Sequence, residues 1–273
     1  MSFANEATDN QRVVLSGVTK SFVTDSGSTV QAVAPTDLVF EPGEFVCLVG
    51  PSGCGKSSLL NMLAGFSKPT SGEIRVGDHT VKGPDAERGV VFQQPNLFPW
   101  LTVRGNVELG PRMRGVSAAK RREQTDHFLK MVGLEQFADH KPYELSGGMQ
   151  QRCQIARVLN NDPNIVLMDE PFGALDALTR ERLQLELLEI WREKRKTVFF
   201  ITHSVEEAIF LGTRVLVMSA RPGQIILDQS VDLGGPDGGP EIRSLPEFVE
   251  LRDKVSRAVY AAQGVHDTVP SNH

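Results

Sequence analysis

Chemistry first shows in Gly50-Pro51-Ser52-Gly53-Cys54-Gly55-Lys56-Ser57, a glycine-rich stretch ending on a lysine and a hydroxyl. Its glycines let the backbone curl so that successive N–H groups point inward at an anion, and a following helix would add the positive end of its dipole. Lys56 suits contact with β- and γ-phosphates, and the Ser57 hydroxyl suits Mg²⁺. Such a loop needs a strand before it and a helix after it. The apolar run Phe45–Val49 supplies the first and Ser58-Leu59-Leu60-Asn61-Met62-Leu63 the second. The stretch Gly50 to Ser58 therefore predicts a bound nucleoside triphosphate.

Three more polar positions close apolar runs. Gly89-Val90-Val91-Phe92 ends on Gln93, Ile165-Val166-Leu167-Met168 ends on Asp169 and Glu170, and Thr197 to Thr202 ends on His203. Short runs that are apolar throughout read as strands buried on both faces of a parallel sheet, and ligands gather beyond the carboxyl ends of such strands. Adjacent carboxylates call for different tasks: Asp169 suits Mg²⁺, and Glu170 suits orienting or polarising a water. A single histidine is ordinarily structural, but convergence with Gln93 and Asp169 around a phosphate loop places His203 in the site. Leu145-Ser146-Gly147-Gly148-Met149-Gln150-Gln151-Arg152 opens a helix to about Asn160 and offers a second anion-receiving helix start. Phe22, upstream of the loop, fits a core position and a purine-stacking position equally well.

The elements that must position these groups follow the chain. Val13 to Phe40 alternates apolar and polar residues around Thr24-Asp25-Ser26-Gly27-Ser28, which predicts antiparallel strands and a polar turn. Lys68 to Glu73 reads as turn chemistry. From Gln94 to about 158, prolines 95, 99 and 111 break the start and a helical pattern with Phe128, Leu129 and Val132 follows, a mainly helical insertion in an α/β core. Asp176 caps a helix to about Arg195 with Leu183, Leu187, Ile190 and Trp191 on one face. Val215–Met218 is a fifth strand. Past the Gly234–Pro240 linker, Ser244 and Glu247 have capping-box spacing ahead of an apolar stripe of Phe248, Leu251, Val255 and Val259.

Composition narrows the function. The 273 residues carry a net charge of −5, 40% hydrophobic and 23% charged residues, and their densest basic cluster is Lys120-Arg121-Arg122. That profile predicts a soluble globular protein without a nucleic-acid partner. Met1 to Gln11 lacks a signal pattern, and no apolar run approaches the about 20 residues that span a bilayer, so the chain is expected in the cytosol. Cys47, Cys54 and Cys153 have no metal spacing; Cys54 reads as a small loop residue, open to alkylation only if its thiolate is exposed.

Together these motifs resemble the nucleotide-binding subunits of ABC transporters over nearly the whole chain, and Leu145 to Gln151 is the most specific element. The resemblance implies a P-loop NTPase fold, a RecA-like core with an antiparallel β-subdomain and a helical subdomain. It implies an ATPase domain over 12–230, its helical part at about 94–158, and a linker with a C-terminal helix over 231–273. By resemblance Phe22 stacks on adenine, Gln93 contacts Mg²⁺ and water, Glu170 is the catalytic carboxylate and His203 meets the γ-phosphate. Asp176 lies at a dimer interface, and Ser146, Gly147 and Gly148 cover the ATP held by a second subunit. The implied partners are a second copy, transmembrane permease subunits at the cytoplasmic face and, indirectly, a substrate-binding protein.

The runs Asp169 to Arg180, Leu97-Phe98-Pro99-Trp100-Leu101 and Arg221-Pro222-Gly223-Gln224-Ile225 are similar to the nitrate, sulfonate and taurine importer group. The same motor serving another cargo, such as a pyrimidine vitamin precursor or bicarbonate, is the alternative; a soluble ABC protein acting on DNA or ribosomes is the more distant one. Between its prolines, the patch Leu97, Phe98, Trp100 and Leu101 is expected to leave some apolar surface for a permease helix beside Gln93.

Overall fold

The computed structural model describes residues 11–233 and 239–263; residues 1–10, residues 234–238 of the expected linker and those after 263 lie outside the described residues. Strands β1 (Val13–Val23) and β2 (Thr29–Phe40) form the expected antiparallel hairpin, its turn closed by a bond from Thr24 N to Ser28 O. Strand β3 (Phe45–Val49) leads through the glycine-rich loop into α1 (Lys56–Ala64). Next come β4 (Ser71–Val76) and β5 (His79–Thr80), which join the hairpin in a four-stranded sheet of order β2-β1-β4-β5. Half of the expected turn at Lys68–Glu73 is thus strand, because Glu73 and Ser71 pair with Ser16 and Thr19 of β1.

After β6 (Arg88–Val91) the chain passes through α2 (Val103–Met113), α3 (Ala118–Met131) and α4 (Gly147–Asn160) before β7 (Ile165–Asp169). Residues 94–101 are irregular, and Pro111 lies inside α2, two residues before its end, rather than breaking the stretch. Helix α5 (Ala177–Lys194), β8 (Thr197–Ile201), α6 (Val205–Leu211), β9 (Arg214–Met218) and β10 (Ile225–Ser230) follow. The second sheet has the order β10-β9-β3-β8-β7-β6, parallel throughout except for β10.

Each central strand serves two cores, which is why its sequence is apolar on both faces apart from polar residues at the strand ends. Phe45, Cys47, Val49, Val198, Phe200, Val215 and Val217 face a cluster shared with α2, α3, α4, α5 and α6. Val46, Leu48, Phe199, Ile201, Leu216 and Met218 face the other side, with α1 and the antiparallel sheet. Alternation of period two assigns odd and even residues to opposite faces, and both faces are dry. Phe40 stacks on Phe199 at 5.4 Å across one of them.

A 3₁₀ turn (Pro240–Ser244) precedes the last helix, α7 (Pro246–Ala262). The expected capping box is absent: Leu245 is the N-cap and makes no side-chain cap bond. Pro246 at the first turn fixes φ and drives the residue before it into an extended conformation, shifting the helix start past Ser244. Phe248 and Val255 are buried as the stripe predicts, while Leu251 and Val259 are partly buried against the same core.

Candidate functional site

The carboxyl ends of the parallel strands open on a cavity of about 320 Å³. Ser52, Gly53, Gly55, Lys56, Ser57 and Ser58 line it from the loop and α1, with Phe22 from β1 and Gln93, Glu170 and His203 from the strand ends. The loop depends on its glycines: Gly55 has φ 112°, and a Cβ there would stand 2.8 Å from Ala32 O. Lys56 is buried, and its Nζ donates to Gly50 O and Pro51 O, both at 2.8 Å, so the ammonium is held across the loop. Gly50, Pro51 and Cys54 form the back of the loop and do not line the cavity. The Cys54 side chain is buried in the core beneath α1, which closes the condition set for its alkylation.

Glu170 is the centre of the strand-end cluster. Gln93 Nε2 donates to Glu170 Oε2 at 3.1 Å, and His203 Nε2 lies 2.5 Å from Glu170 Oε1. The Glu170 backbone has φ 48°, a left-handed conformation that costs a non-glycine residue about 1–2 kcal/mol. Its N–H donates to Ile201 O at 3.0 Å, which anchors that turn across to β8. Gln93, two residues beyond β6 and exposed, is steadied from behind: the buried Gln151 and Gln154 of α4 both donate to Phe92 O, at 3.1 and 2.8 Å.

Asp169 does not line the cavity, and its fit to Mg²⁺ rests on what it lacks. Its Oδ1 is buried without a hydrogen-bond partner, burial pushes its carboxyl above the ordinary value, and a bond from Ser57 counters that shift. An orphaned carboxylate oxygen next to a loop hydroxyl is the donor set a cation would complete. No group of three or more His, Cys, Asp or Glu among the described residues could hold a metal alone. That suits Mg²⁺, which takes one or two protein groups and completes its shell with phosphates and water. Ser57 and Asp169 fit it.

Two lining residues were not anticipated from sequence. Ala32 of β2 is carried in by the hairpin, and Arg221 donates through Nη2 to Gly53 O at 3.3 Å from the turn after β9. Phe22 is half exposed, with Lys20 Nζ over its ring at 5.2 Å from the centre, so it lies at the surface rather than packed in the core.

Ser146, Gly147 and Gly148 stand apart from their own chain's cavity. Ser146 caps α4 through Oγ, accepting from Met149 N at 3.3 Å, and Gln150 Nε2 ties the turn to Pro142 O and Leu145 O. The remaining N–H groups of a helix's first turn have no intrahelical partner, so this exposed end is shaped for an anion brought from outside. A Cβ on Gly147 would meet nothing within 4 Å. Asp176 caps α5, accepting from Thr179 N at 3.0 Å, and this bond holds its carboxyl below the ordinary value.

The sequence matches the ABC transporter family over residues 33–173. It is 56% identical over 231 residues to a putative ATP-binding protein of Brucella abortus, covering 84% of this chain and 88% of that one. It is 47% identical over 249 residues to the taurine import ATP-binding protein TauB of Roseobacter denitrificans, covering 90% and 93%. The ATP-binding cassette MJ0796, solved as a dimer in a post-hydrolysis state with ADP and Pi, superposes with a TM-score of 0.73 at 37% identity over 80% of this chain and 98% of that one. This chain belongs to the ABC transporter family as an ATP-binding subunit with ATPase activity, ATP its substrate and Mg²⁺ the accompanying ion.

Proposed function

We propose that the chain is the motor of an importer for a small anion such as taurine, an aliphatic sulfonate or nitrate. It would act as a homodimer bound to permease subunits at the cytoplasmic face of the membrane, supplied by a substrate-binding protein. The observation that carries this is the 47% identity, across nine-tenths of the chain, with a relative named for taurine import. No helix among the described residues is long and apolar enough to cross a membrane.

In this reading Lys56 and the loop N–H groups hold the β- and γ-phosphates, Phe22 stacks on adenine, and Ser57, Asp169 and Gln93 hold Mg²⁺. The ion would neutralise charge on the phosphate oxygens. Glu170, oriented between Gln93 and His203, positions and polarises the attacking water, and His203 faces the γ-phosphate. Ser146, Gly147 and Gly148 serve the partner copy's nucleotide, consistent with their exposure away from their own cavity and with the dimeric MJ0796 cassette. Such closure excludes water and strengthens each charge contact, which is where phosphoryl transfer gains most. Trp100, 69% exposed and with its ring centre 5.4 Å from that of the half-buried Phe98, supplies apolar surface for a permease segment.

The test is ATP-driven uptake of labelled taurine by vesicles holding the complete transporter, with nitrate and an alkanesulfonate as competitors. Uptake of taurine, or its displacement by one of the others, is expected. Failure of all three with intact ATP hydrolysis would overturn the cargo assignment.

A further inference from the structure

Among the described residues the His203 side chain pairs with Glu170 alone, and it is 47% exposed, so its aim is set by the backbone that carries it. Both of its neighbours are tethered. Thr202 Oγ1 donates to Glu207 Oε2 and accepts from Ser204 N at 3.0 Å, while Ser204 Oγ accepts from Glu207 N at 3.2 Å. Glu207, on α6, is buried, and its other carboxylate oxygen receives Gln184 Nε2 at 2.8 Å from α5. Gln184 is also buried, and its carbonyl receives Arg243 Nη2 at 2.9 Å. Arg243 comes from the 3₁₀ turn before α7, where Nη1 pairs with Glu181 at 3.0 Å and the guanidinium lies 4.1 Å from the Phe210 ring centre.

We infer that Arg243 and Gln184 are positioning residues for His203, acting through Glu207 and Thr202, so that the docked C-terminal segment holds the histidine at its working angle. The amide of Gln184 bridges a cation and a carboxylate in one orientation only, oxygen toward Arg243 and nitrogen toward Glu207. Removing Arg243 leaves that oxygen buried without its donor, and the amide is no longer fixed for Glu207. Buried polar chains of this kind are all or nothing, since each unpaired member bears its full desolvation cost. An apolar layer would join α5 and α6 as firmly, so burying a carboxylate and an amide directly behind the His203 turn points to orientation as their task. Burial raises the Glu207 carboxyl above its ordinary value, against the pull of the Thr202 and Gln184 bonds.

The inference rests on the role proposed above for His203, and the experiment separates the two. Gln184→Met, Arg243→Met and Arg243→Lys are made in the full chain, and Gln184→Met is repeated in a His203→Ala background. ATPase kcat and KM are measured, with nucleotide affinity as a separate readout. Gln184→Met and Arg243→Met should lower kcat roughly 10- to 100-fold, as small misplacements of catalytic groups do, with KM for ATP within about twofold. Arg243→Lys, which keeps one donor for Gln184, should restore most of the loss. In the His203→Ala background Gln184→Met should change kcat less than about twofold, because coupled residues are not additive. Equal losses in both backgrounds, parallel loss of nucleotide affinity, or unchanged kcat in Gln184→Met would overturn the relay and leave the His203 assignment standing. Wild-type kcat in His203→Ala alone would overturn the His203 assignment, and the relay with it.

Discussion

His203 Nε2 lies 2.5 Å from Oε1 of Glu170, joining the ends of β7 and β8 at the floor of the cavity. A carboxylate fixed this way and bonded on its other oxygen by Gln93 is oriented before any substrate arrives. Glu170→Gln should therefore leave ATP affinity near wild type and lower turnover by roughly 100- to 10,000-fold, the range for loss of a general base. Lys56→Ala should instead lose tight ATP binding, since its ammonium acts on ground-state phosphates. Equilibrium binding with single-turnover hydrolysis distinguishes them, and normal hydrolysis by Glu170→Gln would remove the role given to Glu170.

Association should follow nucleotide. Ser146 to Gly148 do not line their own cavity, so the Glu170→Gln chain is expected to sediment as a monomer alone and as a dimer with ATP. An oligomeric state indifferent to ATP would count against a site shared between copies.

Trp100 and Phe200 make a matched pair for testing the docking surface. Trp100→Glu, at an exposed position, should reduce co-purification with the permease while leaving the isolated chain's melting temperature and ATP affinity nearly unchanged. Phe200→Ala removes a ring buried against Phe45 and Phe172 and should cost about 3–5 kcal/mol in urea unfolding. If Trp100→Glu unfolds the chain as Phe200→Ala does, the docking assignment fails.

Stability should also depend on pH through Glu207. Burial raises its carboxyl above the ordinary 4.5, with Thr202, Gln184, Arg180 and Arg243 pulling the other way. An acid that holds its proton more tightly when folded contributes stability fully below pH 4.5, and the contribution is lost as pH rises through the folded value. Glu207→Gln cannot titrate. Unfolding curves of the two proteins should thus shift in the variant's favour from below pH 4.5 toward neutrality, and parallel curves would contradict the raised value.

All three thiols should resist alkylation in the native state. Cys47, Cys54 and Cys153 are buried, and burial pushes the Cys153 thiol up to about 12. Iodoacetamide labelling at neutral pH followed by peptide mass analysis should find them unmodified until denaturant is added.

The site's frame was legible because two-faced burial leaves a plain mark: runs such as Ile165–Met168 admit no polar residue until they reach the cavity. The glycine curl before α1, the helix start at Ser146–Gly148 and the cap at Asp176 were equally plain, since local chemistry decides them. Strand β4 was lost because only Ile74 in it is buried, and β10, half exposed at a sheet edge, carries as weak a pattern. Arg221, Ala32 and the Arg243–Gln184–Glu207 chain were invisible for a different reason. Their contacts join segments far apart in sequence, and no local pattern encodes which side chains a fold will bring together.

The placement of Ser146–Gly148 away from their own cavity has a genetic consequence. If each chain lends its serine–glycine turn to a partner and borrows one in return, every site in a dimer is compound. A copy with a ruined phosphate loop still lends a sound turn, and a copy with a ruined turn still offers a sound loop. Mixing two such inactive alleles would rebuild one complete site while the other is doubly broken. Inheritance of activity would then follow the pairing of chains rather than the quality of either one.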